Sequence, residues 1–300
     1  MLTGILWGLC AALLNSIGYL FGAVYLRHYH SPVRLLLLAH FAMLLMGIPC
    51  LLLFFPFGRL TDPGIYVATL FGGGAAFVIG QLSFFMALRY LEASRLASLL
   101  GLKIIVLTVI VSCASRELPG VGRSCAVLLA AFAAMVINWN GSSLRIDWRG
   151  MFFVLLTLIF YSLCDILEAR LVRHLILCGG SPLRSAIAAV ASNYSMLGVV
   201  MLPGVCFIRI TRRQLLRSVP YGMLWFGAQA ALLCCFAAIQ TVFGNVILAS
   251  RGLFSVLLGA GLAYFGFARC DAVLSARQWA LRGLGALLMI AAIALYSFSA

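Results

Sequence analysis

The chemistry in this sequence sits inside its most apolar stretches. Lys103 is the only lysine, every other basic residue apart from His being arginine, and about nine apolar or small residues flank it on each side. Tyr161, Asp165 and Glu168 follow at i, i+4 and i+7, a spacing that places all three on one helix face. Arg251 lies about two turns into a further apolar block, and Asn15, Asn193 and Gln229 fall near the middles of others, with Gln81 slightly past one. An ionisable group in hydrocarbon costs roughly 2.5–3.5 kcal/mol on insertion scales, so each needs a partner or a wet cavity. Lys103 and Arg251 suit a carboxylate or a phosphate. Asp165 suits an ammonium group, a coupling proton, or the balancing of those cations when the site is empty. Each residue also has a plainer reading. Lys103 could close a structural ion pair, Arg251 could snorkel to an interface, and Glu168 could pair with Arg170 or Arg173. A single Asn or Gln could simply hydrogen-bond between helices at about 0.6 kcal/mol. Together the eight positions (Asn15, Gln81, Lys103, Tyr161, Asp165, Glu168, Gln229 and Arg251) outline a substrate-binding chamber at mid-depth.

The elements that must carry these residues are membrane helices. Of 300 residues 64% are hydrophobic and only 9% charged, and mean hydropathy is +1.13, which leaves too little charge to cover a soluble surface. Apolar blocks run over about 3–26, 34–57, 64–88, 94–114, 120–139, 150–172, 185–208, 219–241, 244–267 and 278–298. Each has at least the ~20 residues that cross a hydrocarbon core about 30 Å thick. The connections are short, and that at 241–245 is the weakest of the breaks. The net charge of +14 resides mostly in arginines at block ends, where they anchor spans and set topology, so nucleic acid is not an expected partner. Most of the ten cysteines lie inside apolar blocks and none has ligand spacing. No metal, cofactor or structural disulfide is therefore expected. The N-terminus lacks a basic leader, so its first apolar stretch is expected to be a retained span. No Ser/His, paired-Asp or metal constellation supports catalysis.

Residues 84–100 and 235–251 share a pattern of helix end, small polar break and helix start at an offset of 151, and the hydrophilic stretch 140–149 has five blocks on each side. Five spans per half force the halves, 1–140 and 149–300, into opposite orientations, as in many secondary transporters. Over 84–138 the order of "FFMALRYLEASRLASLL", "SRELPGVG" and "AVLLAAFAAMVIN" resembles the ten-helix EamA-type branch of the drug/metabolite transporter superfamily. Glu117 matches the acidic residue common after the fourth helix, and Asp271 stands near its counterpart in the closing segment. Leu102-Lys103-Ile104 stands where the family often has a proline. The resemblance implies an all-α integral membrane protein of ten transmembrane helices in two inverted five-helix repeats. It also implies a central cavity, peripheral fifth and tenth helices, and transport of small metabolites.

The expected function is secondary active transport of a small polar metabolite, anionic or zwitterionic, by alternating access. The expected partners are that solute, membrane lipids and a coupling proton or ion, with the chain a monomer or homodimer in a bacterial inner membrane. Two rivals stay open. One is a flippase for a polyprenyl-type lipid phosphate, and the other a non-transporting membrane protein in which Lys103 and Asp165 close a structural ion pair. Loops after odd-numbered spans hold 13 arginines against six in the others, which by the positive-inside rule puts the termini outside. The family resemblance implies cytoplasmic termini.

Overall fold

A computed structural model describes residues 1–56, 60–87, 90, 99–117, 119–137, 148–254, 257–258 and 276–299. The regular elements among these residues are α-helices: α1 (Leu2–Tyr29), α2 (Pro32–Phe54), α3 (Pro63–Ala87), α4 (Lys103–Ser115), α5 (Val121–Ile137), α6 (Trp148–Leu177), α7 (Pro182–Phe207), α8 (Arg212–Ile239), α9 (Thr241–Leu248) and α10 (Ala276–Phe298). Among the described residues seven helices are long and apolar enough to cross a membrane: Leu2–Leu26, Pro32–Phe54, Pro63–Phe84, Trp148–Leu177, Pro182–Phe207, Arg212–Ile239 and Ala280–Phe298. Lys103–Ser115, Val121–Val136 and Thr241–Phe254 are apolar but shorter. At 1.5 Å per residue these fall short of a ~30 Å core on their own. The adjoining stretches 91–98, 138–147 and 259–275, and with them Asp271, lie outside the described residues.

Helix starts follow local chemistry. Ser31 and Ser181 each cap a helix opening with proline, their hydroxyls accepting from the N–H groups of Arg34 and Arg184. Thr211 and Gln214 form a reciprocal capping box at the head of α8. The weak break expected at 241–245 falls one residue earlier. Gln240, at φ 74°, ends α8, and α9 begins at Thr241. A single residue of positive φ takes the place of a loop, so no charged cluster marks the break.

The chain divides into two compact units: Met1–Gly74 with Leu167–Gln240, and Ala75–Ile166 with Thr241–Ala300. In the first unit α1 packs along α8, with Gly4 against Ala238 and Ile239, Gly18 against Leu224, and Gly22 against Tyr221. The rising numbers on one helix and falling numbers on the other make the pair antiparallel. α2 packs on α7 through reciprocal contacts. Gly47 faces Ala191 and Ser195, while Gly198 faces His40 and Leu44. The set 40/44/47 and the set 191/195/198 stand 151 residues apart throughout, so each helix offers the other the same patch, as across a two-fold axis. Gly72, Gly73 and Gly74 accommodate Leu167, Glu168, Asn193 and Met196, a close-packing role for the triplet.

In the second unit α5 lies along α10, and α4 contacts both α5 and α9. Arg123 on α5 sits over the Tyr296 ring of α10 at 6.0 Å, and Phe243 of α9 stacks on the same ring at 4.6 Å. Ala87, Val154 and Leu158 form an apolar cluster joined by Leu99, Leu100, Leu102 and Val106. This packing fixes the start of α4 against α6.

Candidate functional site

Asp165 is the hub of a polar cluster in the second unit. Its Oδ2 accepts from Lys103 Nζ at 2.6 Å and from Asn245 Nδ2 at 2.7 Å. The same Asn245 amide also donates to the Thr241 carbonyl at 3.0 Å, which holds it one turn into α9. Three helices, α4, α6 and α9, thus converge on one carboxylate. The Lys103 and Asp165 side chains are 14% and 10% exposed. In such surroundings the attraction of the pair is strong, and so is the cost of leaving either member alone.

One turn before Asp165, the Tyr161 ring lies 6.0 Å from Lys103 Nζ, and its hydroxyl donates to Gln81 Oε1 at 2.6 Å. The ring fits because residue 80 is glycine: a Cβ there would stand 2.6 Å from Tyr161 Cδ1. Phe77 stacks on the ring at 6.4 Å. The arrangement presents a cation, an anion and three neutral polar side chains, Tyr161, Gln81 and Asn245, among apolar helices. Opening the ion pair would expose both signs together.

The polar stripe of α6 is divided. Tyr161 and Asp165 serve this cluster, whereas Glu168 belongs to the first unit, where its Oε1 accepts from Asn193 Nδ2 at 2.5 Å. Asn15, on α1 of the first unit, is 1% exposed. Its Oδ1 and that of Asn193 have no hydrogen-bond partner among the described residues. Gln229 is half-buried on α8 of the first unit. Glu117, at the end of α4, is exposed. The structure therefore groups Lys103, Asp165, Tyr161 and Gln81, with Arg251 in the same unit, and assigns Asn15, Glu168 and Gln229 to the other. Asn245 is the partner the sequence reading missed. Inside "TVFGNVIL" it looks like a break marker or ordinary helix glue. The available signal was its position four residues after Thr241, which places an amide on one face of a short apolar helix.

Two expectations about register change. Lys103 does not sit mid-helix. A tight turn at 101–102 precedes it, and it opens α4. Around that turn the N–H of Leu102 donates to Leu99 O (3.0 Å), and those of Ile105 and Val106 donate to Leu102 O (3.0 and 3.3 Å). After α9 the N–H of Ser250 donates to Ile247 O (3.0 Å), and those of Leu253 and Phe254 donate to Ser250 O (2.9 and 3.2 Å). The second set repeats the first 148 residues on. Arg251, half-buried, therefore matches Lys103, and not Leu100 as the 151 offset implied.

Residues 2–139 match the model of the EamA-like transporter family. This stretch belongs to the EamA-like transporters of the drug/metabolite transporter superfamily. The EamA-like match over this stretch and the apolar helices together support an integral membrane protein. No curated protein matches the sequence. Among solved structures 28 chains match. One of them, described only as a crystal structure of a protein, aligns over 98% of this chain and 96% of its own, with 15% identity and a TM-score of 0.69. At that identity the likeness concerns the fold alone. Among the described residues no group of three or more His, Cys, Asp or Glu could hold a metal ion, and the described cysteines are free.

Proposed function

We propose that this EamA-like chain is a secondary transporter of a small polar metabolite, anionic or zwitterionic, working by alternating access between inverted halves 1–140 and 149–300. The observation that carries the reading is the Lys103–Asp165 pair, held by Asn245 and flanked by Tyr161 among apolar helices. The inverted halves draw support from the reciprocal α2–α7 contact and from the repeated hydrogen-bond pattern at Lys103 and Arg251. An incoming carboxylate or phosphate takes over Lys103, with Arg251 as a second cation. The released Asp165 is then matched by the solute's ammonium group or by a coupling proton. The solute's charge thus replaces a charge already in place, so the site stays near neutral when loaded and when empty. That condition lets either form reorient without a bare ion among apolar side chains.

A thermal-shift screen of the purified protein against a metabolite panel sorted by charge identifies the solute, and uptake into reconstituted vesicles then measures transport. Lys103→Met is expected to abolish uptake in protein that remains folded, and undiminished uptake would refute the role. The closed geometry of the pair also favours a second reading, a purely structural clamp. The charge-reversed K103D/D165K variant separates the two: a non-transporting clamp shows no uptake in either form and keeps its melting temperature, whereas a transporter site loses the uptake that the wild type has. Labelled polyprenyl phosphate in the same vesicles tests the flippase alternative.

A further inference from the structure

One end of the first unit carries a dense patch of positive charge that the transport site does not use. The α1–α2 turn and the α7–α8 connection meet there. Tyr25, Leu35 and Leu38 form an apolar cluster joined by Leu26, Tyr29, Ile210, Leu215 and Tyr221. Around that cluster stand Arg34, Arg209, Arg212, Arg213 and Arg217, all but Arg34 exposed. Arg217 lies over the Tyr29 ring at 5.8 Å. No Asp or Glu occurs in residues 1–61 or 169–254, so these two segments bring no acid of their own to the patch.

The placement is unfavourable in isolation. Arg212 and Arg213 occupy the first turn of α8, the helix end that carries partial positive charge and prefers acids. Arg213 and Arg217 are one turn apart, a like-charge spacing that repels. The capping box fixes the backbone of this first turn, and with it the positions from which Arg212 and Arg213 project. Beside them Phe207 and Leu216 are 89% and 59% exposed, at the ends of helices long and apolar enough to span a bilayer. A ligand matched to this surface carries negative charge at interface depth and hydrocarbon beneath it. We infer that the Arg209–Arg217 connection with Arg34 is a docking site for the phosphate headgroup of an anionic membrane phospholipid, its acyl chains lying against Phe207 and Leu216. Clustered arginines at a membrane interface bind such headgroups through paired, charge-assisted hydrogen bonds.

The rival explanation is that these arginines serve only as a topology signal during insertion. That role predicts no headgroup preference in the finished protein. The test titrates the purified, folded protein with phosphatidylglycerol or phosphatidylcholine and counts retained lipid by native mass spectrometry. The wild type is expected to retain phosphatidylglycerol at a concentration at least tenfold lower than phosphatidylcholine. R212Q/R213Q/R217Q is expected to erase that preference, while R170Q/R173Q/R184Q, altered outside the patch, keeps it. Should the triple variant not fold, Arg213→Gln alone is expected to weaken phosphatidylglycerol retention at least threefold, and raised NaCl should weaken it in the wild type. Equal retention of the two lipids by the wild type, or a preference untouched by the patch variants or lost equally in the control, would overturn the assignment.

Discussion

Asp165 receives two donors on one oxygen, and this sets the direction of each substitution around it. Asp165→Asn leaves the Lys103 ammonium without its anion, at a cost of about 3–5 kcal/mol for a broken buried pair. Asn245→Leu removes one hydrogen bond to a charged group, worth about 1.5–3 kcal/mol. Denaturation in detergent should therefore rank D165N below N245L and both below wild type, and the reverse order would show that the amide, not the ammonium, anchors the carboxylate. Gly80→Ala pushes a Cβ to 2.6 Å from the Tyr161 ring and should cost about 1–3 kcal/mol by overpacking. Gly120→Ala, with nothing within 4 Å of its Cβ, serves as the neutral control in the same melting experiment. A lone lysine in an apolar run, and a carboxylate one turn from a tyrosine, are legible in sequence because charge in hydrocarbon demands an explanation. A pair between Lys103 and Asp165 is one of the readings the sequence leaves open, and which reading holds depends on how α4 and α6 pack.

The helices themselves were the most readable level, because long apolar runs ended by Ser-Pro or Arg-rich breaks leave little choice. What composition hides is interruption without polarity. Gln240 and the turns at 101–102 and 249–250 change the backbone's course amid apolar neighbours, so hydropathy runs straight across them. The offset of 151 read from the sequence holds for the α2–α7 contact. It slips by three residues at Lys103 and Arg251, because turns absorb residues that a one-dimensional alignment cannot place. The reciprocal contact also makes an asymmetric prediction. A Cβ at Gly198 would meet Leu44 Cβ at 2.6 Å and the His40 carbonyl at 3.0 Å, both close to the backbone. At Gly47 the closest atom, at 2.5 Å, is the Ser195 hydroxyl, which rotates away. Gly198→Ala should thus lower the melting temperature more than Gly47→Ala, and equal shifts would contradict the difference in rigidity.

The compact units are assembled from both ends of the chain: each draws one segment from the first 166 residues and another from the remainder. Neither 1–140 nor 149–300 contains a whole unit, so each fragment expressed alone should be degraded, and the two co-expressed should recover full-length abundance on immunoblots. Stable accumulation of either fragment by itself would show that a sequence half is self-sufficient. The interleaving escaped the sequence reading because apolar patterning records which face of a helix is buried, not which distant helix buries it. It also has a meaning for birth in the cell. The first unit is interrupted by roughly ninety residues, 75–166, that belong elsewhere. At about 5–20 residues per second the ribosome needs some 5–18 s to make that insert. During this interval α1 and α2 are already in place while α7 and α8, the helices that cover them, have yet to be synthesised. The exposed glycine faces of α1 and α2 are then the surfaces that insertion machinery or a membrane chaperone would have to shelter.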